Sequence, residues 1–363
     1  MELRVMMDGE EVGHLRKESG SYYFAYSNQW LESGFSISPR SLPLEDRLFK
    51  SRNDRFDGLF GVFADSLPDG WGTFTAIKAL REKGISYLSL DPLERLSLVD
   101  DRGLGALYYE PSDSFKSSLS DTDLDDLCDR CNRMIENMDT DADDIFRRAG
   151  STGGARPKVN TTIGGEEWIV KFRERNDPKW IGRMEYQCNI AARECGIDVP
   201  DIGLLQSKMC DGYFSSKRFD RRGKERIHMI SLGGLLEVPH DMPLLDYHTF
   251  LQAVRFITRS QAETVKAYRL SCFNILIGNR DDHSKNYAFL YDRDAGAYRL
   301  SPAYDLTVTP DLKEHEMSCM GNGQPGEREL MQLADVMNIS KKDATEIIGK
   351  IKDVIENELS EWL

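Results

Sequence analysis

Asp281 and Asn286 stand five residues apart in Ile277-Gly278-Asn279-Arg280-Asp281-Asp282-His283-Ser284-Lys285-Asn286. Phosphoryl transfer needs a carboxylate that orients the attacking hydroxyl and takes its proton, and oxygen ligands that hold Mg²⁺ against the phosphates. A kinase-type catalytic loop places its Asp and its metal-binding Asn at this separation. Asp305 follows in Tyr304-Asp305-Leu306, where a second metal-binding carboxylate is wanted. Lys285 could neutralise charge developing on the transferred group. His283 is read as ordering the loop beside the cofactor rather than as the base, because Asp281 fills that role. The bland alternative is that Asp281, Asp282, Asn286 and Asp305 are turn and cap residues. The order of elements argues against it: an amphipathic run, Val265 to Leu276, then the polar loop, then a hairpin turning at Asp292-Arg293-Asp294-Ala295-Gly296, then Asp305.

Such a loop makes demands upstream. It requires a glycine-rich turn for the phosphates, a strand lysine and a helix glutamate. Ser151-Thr152-Gly153-Gly154-Ala155-Arg156-Pro157-Lys158 offers the turn: glycines let backbone amides approach phosphate oxygens, and Arg156 and Lys158 add positive charge. It is not a Walker loop, since Val159 follows Lys158. The same stretch also reads as a plain Gly-Gly turn between strands. Lys171 lies inside the apolar strand Trp168-Ile169-Val170-Lys171-Phe172, where a lysine is unexpected without a partner. Glu185, in the helical run Arg183 to Cys195, is its candidate partner or an ordinary exposed helix residue. Tyr213 to Arg221 reads as a strand entering a polar crossover, and backbone groups near Lys217 and Phe219 could read an adenine edge.

These residues must be positioned by an α+β chain. Residues 1–110 read as a β-rich unit opened by a hairpin at Asp8-Gly9. Residues 111–149 read as an acidic linker and helix, 150–220 as an ATP-binding region of strands, and 221–363 as a helical region carrying the catalytic loop. The net charge of −14 over 363 residues repels phosphate backbones, which argues against strong unaided nucleic-acid binding. No apolar run approaches the ~20 residues that span a bilayer. The seven cysteines are scattered through apolar patterns, as reduced buried thiols are. With a polar Asp8-Gly9-Glu10 turn where a signal-peptide core would lie, the expected location is cytoplasmic. Two decoys fall away. Cys128-x-x-Cys131 lacks a second pair and sits on an amphipathic helix. Asp139, Asp141 and Asp143 begin like a calcium loop, but Asp144 and Gly150 occupy the positions that need Gly and Glu.

Taken together, the 151–158 loop, Lys171, Lys217-Arg218-Phe219-Asp220-Arg221, Asp281 to Asn286 and Pro302-Ala303-Tyr304-Asp305-Leu306 resemble the HipA family, the serine/threonine kinase toxins of bacterial type II toxin–antitoxin systems. Asp65-Ser66-Leu67-Pro68-Asp69-Gly70 resembles a motif of that family's small N-terminal domain. The resemblance implies a two-lobed protein-kinase-like fold preceded by a β-rich N-terminal subdomain. It implies Asp281 as catalytic base, Asn286 and Asp305 as Mg²⁺ ligands, and Lys171 with the 151–158 loop on the phosphates of ATP. Ser151 falls where family members carry an autophosphorylated serine whose modification ejects the loop; a phosphate of about −2 charge there would repel ATP. A protein substrate, with aminoacyl-tRNA synthetases among those of the family, and a small DNA-binding antitoxin are the implied partners. Leu306-Thr307 replaces the Phe-Gly that follows the metal-binding Asp in eukaryotic kinases. A phosphotransferase acting on a small molecule and a non-catalytic, nucleotide-binding co-repressor are the competing readings.

Overall fold

Asp8 and Gly9 hold positive φ, 48° and 84°, the backbone a two-residue hairpin loop requires. They join strands Glu2–Met7 and Glu10–Glu18, paired from Met7↔Glu10 to Glu2↔Arg16. The structure is a computed structural model, and the residues described are 1–52, 54–99, 103–112, 123–138, 141–150 and 153–363. The hairpin lies inside a five-stranded antiparallel sheet whose order is Phe49–Lys50, Ser21–Tyr26, Glu10–Glu18, Glu2–Met7, Leu107–Glu110. Strict alternation in Ser21–Tyr26 buries Tyr22, Phe24 and Tyr26 on one face, with Phe24 packed against Phe63 at 5.2 Å between ring centroids.

Contacts divide the described chain into two units, residues 1–182 with 203–230, and residues 183–202 with 231–363. The first unit also holds a four-stranded sheet in the order Lys158–Ile163, Glu166–Lys171, Tyr213–Lys217, Ile202–Leu205. Val159, Val170, Phe172 and Tyr213 from these strands share one core with Trp71, Leu127, Cys131 and Phe146. Helices Gly70–Glu82, Leu124–Ile135 and Ala142–Ala149 supply the latter four side chains. The described part of the 111–149 stretch therefore contributes two helices to a core. Cys128 and Cys131 are buried free thiols within it. Asp141 caps its helix by accepting from the Asp144 amide at 3.0 Å, while Asp139 lies outside the described residues.

A buried charge cluster ties this sheet to the N-terminal region. Arg218 and Arg221 donate to the Gly103 carbonyl, each at 2.7 Å, and Asp220 accepts from the Gly105 amide at 2.7 Å. Burial alone would raise the Asp220 carboxyl; the Arg218 and Arg221 guanidinia outweigh it and bring the group down to about 2.

In the second unit, helices Tyr247–Thr258 and Gln261–Ile277 are capped by Asp246 and Ser260, whose side chains accept from His248 and Glu263 amides. A hairpin, Ala288–Asp292 with Ala297–Leu300, pairs Phe289↔Leu300 and Asp292↔Ala297. Helices Ile181–Glu194, Glu327–Val336 and Lys341–Glu358 complete the elements used below. Among the described residues no helix is long and apolar enough to cross a membrane.

Candidate active site

Helix Gln261–Ile277 stops at Gly278, whose φ of 68° is the left-handed cap that glycine adopts freely. The Asn279 amide then bonds back to the Asn274 carbonyl at 2.9 Å. From there the loop is held by its neighbours: the Arg280 amide donates to Thr309 Oγ1 at 2.7 Å, and the Glu316 amide donates to the Arg280 carbonyl at 3.1 Å. Asp281 leaves this clamp with 57% of its side chain exposed. The next residue does the opposite. Asp282 is fully buried and accepts from Tyr247 Oη at 2.5 Å, His315 Nδ1 at 2.7 Å and the Met317 amide at 3.2 Å.

A short turn, Ser284–Asn286, carries the remaining loop residues. His283 caps it, its Nδ1 accepting from the Lys285 amide at 3.3 Å, which leaves the proton on Nε2, 3.9 Å from Asp281 Oδ1. Asn286 Nδ2 donates to the Asp281 carbonyl at 2.6 Å, and Tyr304 Oη to the Lys285 carbonyl at 2.6 Å. Asp281, His283, Lys285 and Asn286 thus sit on one braced turn. Burial, then the Asp281 charge, pushes the nearby Glu316 carboxyl above the usual carboxylate range.

Asp305 has a φ of 54°, the left-handed region in which a residue with a Cβ is strained. Its carbonyl accepts from Asn279 Nδ2 at 3.1 Å. Such strain persists where surroundings over-determine it, and it gathers at functional sites. Glu185 lies half-buried on helix Ile181–Glu194; Asn189 Nδ2 links its carbonyl, at 2.9 Å, to that of Leu306, at 3.5 Å.

The first unit carries the other set. Lys158 and Lys171 are directly opposed across paired strands, so both side chains leave the same face. Like charges so placed repel, and an anion on that face relieves them. Lys158 Nζ donates to the Gly153 carbonyl, and Lys171 Nζ stands 5.5 Å from the Phe214 ring centroid. Gly154 has a φ of +86°, and a side chain there would meet Lys158 Nζ at 2.8 Å. Arg156 is paired with Asp177 at 2.5 Å beside Ala155. Lys217 pairs with Glu166 at 3.4 Å, and Phe219 is half-buried. Ser151 and Thr152 lie outside the described residues.

This loop touches an unexpected neighbour. The Trp71 amide donates to the Gly154 carbonyl at 2.9 Å and Trp71 Nε1 to the Lys158 carbonyl at 3.1 Å. Gly70, with φ +42°, comes so close that a Cβ would lie 2.5 Å from the Gly154 oxygen. The Asp65–Gly70 motif therefore runs straight into a clamp on the glycine loop.

Residues 3–110 match the family described as HipA N-terminal domain, and residues 150–359 match the family of the HipA-like C-terminal domain. The chain belongs to the HipA family. Its α+β fold with a β-rich N-terminal region, expected from the sequence, is the fold found, and it is that of a solved HipA. A HipA from Shewanella oneidensis MR-1, solved with HipB and its operator DNA, superposes with a TM-score of 0.76 at 18% identity, covering 99% of this chain and 90% of that one. Two Sinorhizobium fredii proteins named as kinases are similar in sequence. Y4mE is 27% identical over 85% of this chain and 78% of its own; Y4dM is 28% identical over 54% of this chain. The match spans 52% of Y4dM, about half its length.

Inspection of the sequence alone assigned no role to Tyr247, Tyr287, Asn274, Asn279 or His315, and it named Asp282 and Gly70 without the contacts that the structure shows for them. Asp282 carried one usable signal, a second carboxylate beside an exposed one, since two adjacent aspartates in a tight loop rarely share an environment.

Proposed function

We propose that this HipA-family chain is an ATP- and Mg²⁺-dependent serine/threonine protein kinase, the toxin of a toxin–antitoxin pair, working in the cytoplasm. The observation that carries the reading is the loop geometry: an exposed Asp281 carboxylate, Asn286 folded onto its carbonyl, and Asp305 held left-handed. Bound Mg²⁺–ATP would supply the transferable γ-phosphoryl group with its charge partly neutralised.

The chain's own residues take the following parts. Asp281 orients the acceptor hydroxyl and accepts its proton; its exposure suits a side chain presented by another protein. Asn286 and Asp305 supply protein oxygens to the metal. Mg²⁺ held against phosphates needs only one or two carboxylates and no all-protein cage. Lys285 offsets charge on the transferred group. Lys158 and Lys171 grip phosphates on their shared face, with Gly153, Gly154, Ala155 and Arg156 and the preceding Ser151 and Thr152 as the loop. Backbone near Lys217 and Phe219 reads the base, and His283 keeps the catalytic turn in shape.

The partner we assign is a small DNA-binding antitoxin, by analogy with the HipB of the Shewanella complex. The acceptor is a protein hydroxyl, with an aminoacyl-tRNA synthetase as the candidate class, and Ser151 is the self-inactivation site. Purified protein incubated with Mg²⁺ and labelled ATP, beside Asp281→Ala, tests this. Label on Ser151 in the unmodified chain alone is the expected result. Nucleotide bound without turnover would make the chain a non-catalytic binding module. Turnover only with a small hydroxylated acceptor would move the assignment to a small-molecule kinase.

A further inference from the structure

Behind the catalytic turn, five buried side chains form one line of hydrogen bonds that ends at Asp305. Tyr247 Oη meets Asp282 Oδ2 at 2.5 Å, Tyr287 Oη meets Tyr247 Oη at 3.1 Å, and Asn274 Nδ2 meets Tyr287 Oη at 2.9 Å. Asn279 Nδ2 then meets Asn274 Oδ1 and the Asp305 carbonyl, both at 3.1 Å. All five residues are at most 3% exposed.

The proton order along this line is forced. A carboxylate only accepts, so Tyr247 must donate to Asp282. With its one proton committed, Tyr247 can only accept from Tyr287, and Tyr287 in turn accepts from Asn274. Asn279 faces two acceptors, so its amide nitrogen, not its oxygen, must lie between them. From Asn279 to Asp282 the donors point the same way, toward Asp282, and bonds so aligned polarise one another, while the second bond of the Asn279 amide points the other way, to the Asp305 carbonyl. Burial, then the Asp282 charge, holds the hydroxyl of Tyr247 well above the usual tyrosine range.

The residues come from four separate places: helix Tyr247–Thr258, helix Gln261–Ile277, the catalytic turn and the start of the hairpin. None of Tyr247, Tyr287, Asn274 or Asn279 holds a carboxylate of its own. What they join is the residue after Asp281 to the backbone of the left-handed Asp305.

We propose that Tyr247, Tyr287, Asn274 and Asn279 are positioning residues, which act through Asp282 to fix Asp305 against the Asp281 loop as one unit. The base and the metal ligand then move together or not at all. The catalytic consequence rests on the phosphoryl-transfer reading; the mechanical coupling does not.

Tyr247→Phe removes one oxygen near the Asp282 end, and Asn279→Ala removes both bonds at the Asp305 end. Hydrogen exchange at the Thr309 amide, which bonds to the Gly278 carbonyl beyond Asp305, reads the coupling without any activity. Its exchange should quicken about tenfold in Tyr247→Phe while helix Lys341–Glu358 is unchanged. In turnover, each variant should lose about tenfold in kcat, with KM for ATP little altered, and the double variant should lose no more than the worse single. Tyr287→Phe breaks the same line one step on and serves if Tyr247→Phe does not fold. Unchanged Thr309 exchange, or losses that multiply in the double variant, would overturn the proposal. A wild-type chain that transfers no phosphate sinks the kinase reading instead, and exchange alone then decides the coupling.

Discussion

Asp281 and Asp282 are chain neighbours with opposite surroundings: the Asp281 side chain is 57% exposed, and that of Asp282 is wholly enclosed by three donors. Isosteric substitution should separate their roles. Asp281→Asn keeps the shape and removes the proton acceptor, so transfer should fall by about 10²–10⁴ while the melting temperature barely moves. Asp282→Asn trades one acceptor oxygen for an amide facing donors, and should cost about 2–3 kcal/mol of stability. Phosphoryl transfer and thermal unfolding, measured on both variants, check this. Equal loss of stability in the two would sink the division of labour.

Lys158 and Lys171 face each other on one side of their sheet. Removing one charge relieves repulsion worth a few tenths of a kcal/mol, and loses a cation–π contact of Lys171 with Phe214 worth about 0.5–1 kcal/mol. Lys171→Met should therefore leave stability within about 1 kcal/mol yet weaken nucleotide binding about tenfold or more. Urea unfolding and equilibrium nucleotide titration read the two effects separately. Undiminished nucleotide affinity would remove Lys171 from the phosphate site.

Asp220 offers a test of pH dependence. Its folded value of about 2 lies below the ~3.9 of an unfolded aspartate. As pH falls, the unfolded chain therefore takes up this proton first. The stabilisation is fully present above about pH 5 and drains away as pH drops toward 2. Asp220→Asn leaves the Arg218 and Arg221 charges buried and should cost about 3–5 kcal/mol at neutral pH. The gap between the two proteins, followed by denaturant unfolding, should narrow between pH 5 and 2. A gap independent of pH would show that the carboxylate charge is not what holds the cluster.

Local signals made much of this legible in the sequence. The Asp8-Gly9 turn needs positive φ at two adjacent residues, and few dipeptides accept that. Asp281 and Asn286 face one another because one short turn closes between them. The positioning line was not legible for the converse reason. Tyr247, Asn274 and Tyr287 lie in runs whose spacing says only that they are buried, and nothing local says which hydroxyl meets which amide. Ser207, Asp125 and Tyr213 make the same point elsewhere, converging from three segments on bonds of 2.6 and 2.9 Å. The 111–149 stretch read as acidic because its polar faces dominate its composition, while Leu127, Cys131 and Phe146 on the hidden faces join the core.

The contact of Gly70 with Gly154 spans 84 residues of sequence and yields the most selective test. A methyl at Gly70 would sit 2.5 Å from the Gly154 oxygen, where the Trp71 amide already bonds. Gly70→Ala must displace the glycine loop or break that bond, and it must also bear the strain of a φ of +42°. Gly84 isolates the second effect: its φ is +72°, and a methyl there meets nothing within 4 Å. Gly84→Ala should cost about 1 kcal/mol of stability and leave nucleotide affinity alone. Gly70→Ala should cost more, about 1–3 kcal/mol, and lower affinity about tenfold, because the loop cannot close over phosphate from its displaced position. Nucleotide titration beside denaturant unfolding on the pair gives the answer. If the two variants bind nucleotide equally well, the motif ending at Gly70 braces the fold and does not set the loop.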